Sequence, residues 1–125
     1  MLNNEVTKEN LNKMVIKFYA AVLKDEIVGP FFIEKLGDNL GTFLWKTHIE
    51  LLTNFWASLA LGDTTYKGNP FAPHSRMDGL KRETFEQWLK LFFETIESVY
   101  QPEIAEIFKK RSTFMAGNFM RNLRI

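Results

Sequence analysis

The chain has 125 residues, no cysteine and a net charge of +1 at pH 7, with 46% hydrophobic and 25% charged residues. These values predict one globular domain, residues 1–125, whose core needs no disulfide. They exclude thiolate nucleophiles and cysteine-ligated zinc or iron–sulfur clusters. Interspersed charges argue against nucleic-acid and membrane-surface binding. Because the first residues do not resemble a signal peptide and no apolar run could span a bilayer, we expect a cytoplasmic protein.

Aromatic residues are abundant, with twelve Phe, three Trp and three Tyr. One interpretation is a bulky core, and the other is a core that opens around a large, flat, apolar ligand. Composition does not separate the two interpretations. The positions of the few polar groups among the aromatic residues are therefore needed to choose between them.

The first predicted helix begins after Thr7, a good capping residue, and runs to about Lys24. Tyr19 carries the only hydroxyl on its apolar stripe. That hydroxyl needs a partner, which is either a backbone carbonyl or water, or else a bound ligand. The segment Gly29-Pro30-Phe31-Phe32 interrupts the helical pattern and predicts a short turn or a single helical turn.

A second long helix is predicted from about Thr42 to Gly62, a favourable residue for ending a helix. His48 lies on its inner face, three residues after Trp45. An inward histidine is either a hydrogen-bonded core residue or a functional group. Sequence spacing leaves both alternatives open.

The loop from Gly62 to Pro73 is rich in turn residues. Pro73 suits the first position of a short helix, which would place His74 in the first turn and end near Gly79. A helix of one or two turns is hard to explain as scaffold alone. We therefore expect it to hold the His74 imidazole in a fixed position.

The third long helix is predicted from a capping box at Thr84-Phe85-Glu86-Gln87 to about Tyr100. Its apolar face includes Trp88 and Phe92, and the Trp88 indole N–H is either a core donor or a donor into a pocket. Pro102 then opens the last helix. No strand pattern occurs in the sequence, so the fold class is all-α.

The residue inventory excludes several chemistries. Two histidines without cysteine or a matched carboxylate pair are too few for a closed zinc site. The chain has no phosphate-binding loop, no dinucleotide-binding motif and no nucleophile elbow. Haem fits the inventory, because it needs one imidazole on iron, an apolar cleft and a few polar groups near the ligand.

Several short motifs in one order resemble the truncated haemoglobins of group III. They cover most of the chain and are Phe18-Tyr19, Gly29-Pro30-Phe31-Phe32, Trp45-x-x-His48, Phe55-Trp56, Tyr66-x-Gly68-x-Pro70, His74 and Phe85-x-x-Trp88-Leu89. The resemblance implies a shortened globin fold, a helical sandwich around a haem pocket. It also implies haem b (iron protoporphyrin IX) as the cofactor.

The resemblance assigns a role to each site residue. His74 is implied as the proximal iron ligand, and Phe32 as the ring that packs against the haem. The implied distal donors are Tyr19, His48 and Trp88. Further cofactor contacts are expected from Trp45, Phe92 and, at the propionate rim, Tyr66 and Arg76.

The implied function is binding of dioxygen, nitric oxide and carbon monoxide by a monomer, with a reductase as a candidate partner. Several distal donors favour tight O₂ binding, linked to nitric oxide or reactive oxygen handling rather than bulk transport. The enzymatic alternatives are nitric oxide dioxygenase and peroxidase-like activity. His48 could instead bind the iron in the resting state. A haem-free helical interaction module is the remaining alternative.

Overall fold

The structure is a computed structural model that describes residues 2–64, 66 and 79–125. The described residues form five helices, and the only β pairing among them is an isolated bridge between Asn3 and Tyr100. The helices are α1 (Lys8–Val22), α2 (Gly29–Leu36), α3 (Phe43–Leu61), α4 (Arg82–Val99) and α5 (Pro102–Leu123). The predicted all-α class is confirmed. No helix among these residues is both long and apolar enough to cross a membrane.

The predicted cap of α1 is confirmed. Thr7 Oγ1 accepts from the Asn10 N–H at 3.1 Å, and Asn10 Oδ1 accepts from the Thr7 N–H at 3.0 Å. This reciprocal pair satisfies two donors that the first turn would otherwise leave open. The helix ends at Val22, slightly before the predicted end near Lys24.

The segment after α1 is a helix that is longer than the predicted short turn or single helical turn. Helix α2 has eight residues, and Pro30 lies in its first turn, where a missing N–H costs nothing. Glycine is required at position 29 because the backbone of α1 lies close to it, and a Cβ there would be 2.7 Å from the Val22 carbonyl oxygen. The Gly-Pro pair therefore begins α2, and does not by itself end α1.

Helix α3 agrees with its predicted bounds. Thr42 Oγ1 accepts from the Trp45 N–H at 3.4 Å, and Gly62 ends the helix with a φ of 70°. Glycine adopts this left-handed conformation without steric cost.

The predicted capping box of α4 is wrong. The helix begins at Arg82, so Thr84 is its third residue, and the Thr84 hydroxyl accepts from the Lys81 N–H at 3.2 Å. The side chain of Gln87 instead donates to Asp25 at 2.7 Å. The predicted start of α5 at Pro102 is confirmed. The short helix predicted from Pro73 lies outside the described residues.

Much of the aromatic content fills the core. Helix α1 packs against α3 and α4, and α4 packs against α5. Phe92 lies between Trp88 and Trp56, with ring centroids 5.2 and 5.0 Å away and interplanar angles of 9° and 15°. Phe108 contacts Trp56 from α5 at 5.5 Å. The bulky-core interpretation holds for this layer of rings.

The N-terminal segment is tied to the junction between α4 and α5. The backbone N–H of Asn3 donates to the Val99 carbonyl at 2.9 Å, and the Gln101 N–H donates to the Asn3 carbonyl at 2.9 Å. Tyr100 is fully buried between them, and its hydroxyl donates to Asn10 Oδ1 at 2.6 Å. The tie joins parts of the chain that are far apart in sequence.

Asp25 anchors the corner between α1 and α2 to α4. Its carboxylate accepts from the N–H groups of Ile27 at 3.0 Å and Val28 at 2.8 Å, and from Gln87. Partial burial raises the pKa of this carboxyl, but these hydrogen bonds and the charge of Lys90 outweigh burial and hold the pKa below its usual value.

Replacing Asp25 by asparagine is expected to lower the free energy of unfolding by about 1 kcal/mol at pH 7, because hydrogen bonds to a charged acceptor become neutral ones. The folded-state pKa is depressed, so the carboxylate stabilises the fold above the unfolded-state pKa of about 3.9, and this contribution disappears as the pH falls through the folded-state pKa. Urea unfolding of both proteins between pH 7 and pH 3 measures the difference.

The control for this experiment is Asp38→Asn, at an exposed position in the turn before α3. We expect it to have little effect at any pH. A difference between the Asp25→Asn variant and the unmodified protein that stays constant down to pH 3 would contradict the role of the Asp25 charge.

Candidate functional site

Three helices bring four of the predicted site residues into one cluster. Tyr19 comes from α1, Phe32 from α2, and Trp45 and His48 from α3. Every pair of these four rings has centroids between 5.1 and 6.1 Å apart. Trp45 and His48 enter the cluster together because residues three apart share a helix face.

Tyr19 and His48 form a hydrogen-bonded pair. His48 Nε2 lies 2.9 Å from the Tyr19 hydroxyl oxygen. Tyr19 is almost completely buried, and burial raises the pKa of its phenol well above the usual value. The phenol therefore keeps its proton at neutral pH. The partner of the only hydroxyl on the α1 stripe is a side chain, and not the backbone carbonyl or water considered above.

The direction of the Tyr19–His48 hydrogen bond depends on the tautomer of His48. With the proton on Nε2, the imidazole donates to the phenolic oxygen, and the phenol proton stays available for a third group. With the proton on Nδ1, the phenol donates to Nε2 instead. The pair can thus present a donor from Tyr19 while His48 supports it.

Trp88 lies one ring away from this pair. Phe18 contacts Tyr19 with centroids 5.1 Å apart and Trp88 with centroids 5.3 Å apart. The indole N–H of Trp88 donates to none of the described residues, and the residue is half-buried. Helices α1 and α4 therefore place two predicted distal donors next to Phe18.

Trp45 and Phe92 are parts of the packed interior. Both are fully buried. The Trp45 indole N–H donates to the Gly37 carbonyl at 2.7 Å, and Phe92 lies between two indole rings. This carbonyl acceptor was missed from the sequence. The sequence predicts a turn at Gly37, but no residue type indicates which backbone carbonyl will accept a hydrogen bond.

Two of the remaining predicted site residues are described by the structure, and two are not. Phe32 is half-buried in the ring cluster. Tyr66 contacts Phe55 with ring centroids 5.1 Å apart, and burial raises the pKa of its phenol. His74 and Arg76 lie outside the described residues, so their assigned roles rest on the sequence.

The face of α3 that carries His48 is apolar and partly open. Leu44 and Leu51, four residues before His48 and three after it, are 56% and 46% exposed. Exposed apolar side chains next to a partly buried polar pair are typical of a ligand site. An apolar surface with hydrogen-bond donors beside it has the chemistry that one face of a haem requires. The described residues contain no group of three metal-ligating side chains. Haem requires only one such ligand from the chain.

The five described helices and the polar ring cluster agree with the all-α globin fold that the sequence predicts. No protein-family model matches the chain. It is 34% identical over 118 residues to the group 3 truncated hemoglobin Ctb of Campylobacter jejuni, covering 94% of this chain and 91% of the relative. A crystal structure of the group III truncated hemoglobin from Campylobacter jejuni superposes with a TM-score of 0.91 at 33% identity, covering 98% of this chain and 95% of that one. The chain belongs to the group III truncated haemoglobins, which confirms the resemblance.

Proposed function

We propose that this protein binds dioxygen, nitric oxide and carbon monoxide at the iron of haem b. In this proposal O₂ is held tightly, and the role is nitric oxide or reactive oxygen handling rather than bulk transport. Family membership supports a haem protein. The observation that carries the proposal is the partly buried Tyr19–His48 pair, with 2.9 Å between its polar atoms.

Haem supplies an iron atom with a position open to a diatomic ligand. His74 is the proposed iron ligand from the chain, and Phe32 packs against the macrocycle. Tyr66 and Arg76 are proposed at the propionate rim, where a hydroxyl and a guanidinium suit carboxylates. Trp45 and Phe92 support the pocket walls from behind, which agrees with their complete burial.

The proposed task of Tyr19, His48 and Trp88 is to donate hydrogen bonds to the ligand. Tyr19 keeps its proton because burial raises the pKa of the phenol. His48 holds the phenol in one orientation, so little reorganisation is needed when a ligand arrives. The surrounding rings exclude water, which strengthens these hydrogen bonds. Slow ligand release then suits a trap or a catalyst.

We further propose that residues 1–125 form a single truncated-globin domain that acts as a cytoplasmic monomer and receives electrons from a reductase. The contacts of α1 with both α3 and α4 support one shared core. Peroxidase-like activity is a second candidate function. It is favoured by His48, because an imidazole in hydrogen-bond contact with Tyr19 can act as a general acid or base and move a proton.

The test of haem binding is absorption spectroscopy of the purified protein mixed with haemin. We expect a sharp Soret band, and we expect His74→Ala to weaken or shift it because the iron loses its ligand from the chain. His48→Gln is the matched control, since the chain has two histidines, and it should retain the band. A protein without a Soret band would refute the proposal and leave the haem-free interaction module. A His74→Ala spectrum identical to the unmodified one would refute His74 as the iron ligand.

A further inference from the structure

Trp45 links the end of α2 to the first turn of α3. Its indole N–H donates to the carbonyl of Gly37, the residue directly after α2, at 2.7 Å. The ring is fully buried. Turning the ring away would leave a buried donor without its acceptor, which is strongly unfavourable. The ring is therefore held at its Cβ by α3 and at its N–H by the turn.

The same ring packs against both members of the hydrogen-bonded pair. Its centroid is 5.1 Å from that of Tyr19, with an interplanar angle of 58°, and 5.7 Å from that of His48, with an angle of 86°. It also stacks on Phe32 at 6.1 Å and 27°. A ring fixed at two ends and touching both partners limits the positions that either partner can take.

We propose that Trp45 is a positioning residue for the Tyr19–His48 pair. This inference rests on the proposed haem function. Trp45 keeps the imidazole hydrogen-bonded to the phenol, which maintains the orientation of the Tyr19 donor and restrains His48 from reaching the iron. The turn at Gly37 thus acts on the ligand site through one indole ring. Phe32 touches the same two residues but has no polar anchor.

Trp56 provides a matched control on the same helix. It is also buried, at 3% exposure, and its ring contacts are with Phe55, Phe92 and Phe108. Trp→Phe at either position removes a similar volume from the core. A loss of packing alone would therefore affect both variants alike, whereas a positioning role belongs only to Trp45.

The experiment compares the Trp45→Phe and Trp56→Phe variants as haem-loaded proteins. Three quantities are measured: the infrared stretching band of added carbon monoxide in the reduced protein, the low-spin fraction in the ferric spectrum, and the O₂ dissociation rate. For Trp45→Phe we expect a shifted or split carbon monoxide band, a larger low-spin fraction and O₂ dissociation faster by at least about threefold. For Trp56→Phe we expect all three to stay as in the unmodified protein.

Unchanged values in Trp45→Phe, with a loss of stability like that of Trp56→Phe, would overturn the inference. If Trp45→Phe does not fold, benzothienylalanine at position 45 keeps nearly the same ring shape and replaces the N–H by sulfur, which cannot donate, and the same changes are expected. Failure of the proposed function gives a different result, because the unmodified protein would then show neither a Soret band nor a carbon monoxide band.

Discussion

Replacing Tyr19 by phenylalanine is expected to speed O₂ dissociation from the reduced haem protein by about tenfold. A preorganised hydrogen bond contributes about 0.5–1.5 kcal/mol, and 1.4 kcal/mol corresponds to about tenfold in a rate or equilibrium constant. The substitution keeps the ring and its contacts and removes only the hydroxyl bonded to His48. Stopped-flow displacement of O₂ by carbon monoxide measures the rate.

The Trp88→Phe variant tests the second donor. The variant that combines Tyr19→Phe and Trp88→Phe tests the effect of both donors together. If both donors reach the ligand, the double variant should dissociate O₂ about fivefold to 150-fold faster than the unmodified protein. Tyr100→Phe is the matched control, since its buried hydroxyl donates to Asn10 at 2.6 Å and not to His48. Rates that stay unchanged in both single variants would remove the donor network from the proposal.

Replacing Phe92 by alanine is expected to lower the free energy of unfolding by about 3–5 kcal/mol, the range for large aromatic residues truncated in a core. Phe92 is fully buried, and Trp88 and Trp56 stack on its two faces. Removing it leaves a void that two rigid indole rings cannot easily fill. Urea unfolding of the apoprotein or the haem-loaded protein, each compared with its own parent, measures the loss.

Two further variants separate packing from general effects of losing a ring. Phe92→Leu keeps most of the volume and should cost clearly less than the alanine variant. Phe114→Ala removes the same side chain from a position that is 69% exposed, and surface substitutions of this kind change stability by about 0.5 kcal/mol or less. Equal losses in Phe92→Ala and Phe114→Ala would contradict the stacked arrangement.

Local signals predicted the elements whose ends are set by residues close in sequence. Thr7 and Thr42 cap helices through bonds to residues three positions ahead, and Gly62 supplies the left-handed end of α3. Thr84 has the same local signal, but α4 begins two residues earlier, at Arg82, and the Thr84 hydroxyl accepts from the Lys81 N–H as the third residue of the helix. The expected partner Gln87 bonds Asp25 in a distant part of the sequence, and local propensity cannot anticipate that contact.

The candidate site was predictable in its residue types but not in its connections. Inward spacing identified Tyr19, His48 and Trp88, because hydrophobic periodicity marks the buried face of a helix. The bond between Tyr19 and His48 depends on how α1 crosses α3, and spacing within either helix contains no such information. The Trp45–Gly37 bond was missed for a related reason, since backbone carbonyls are the same in every residue. The helix at Gly29–Leu36 was missed because a Gly-Pro pair both interrupts one pattern and begins another.

The tie between Asn3 and residues Val99 and Gln101 has a consequence for the order of folding. The bond from the Asn3 side chain to Val99 closes a loop of 96 residues. Closing so long a loop has a large entropic cost that local helix contacts do not have to meet. The N-terminal segment is therefore expected to dock after α4 and α5 have met, as a late step along the folding pathway.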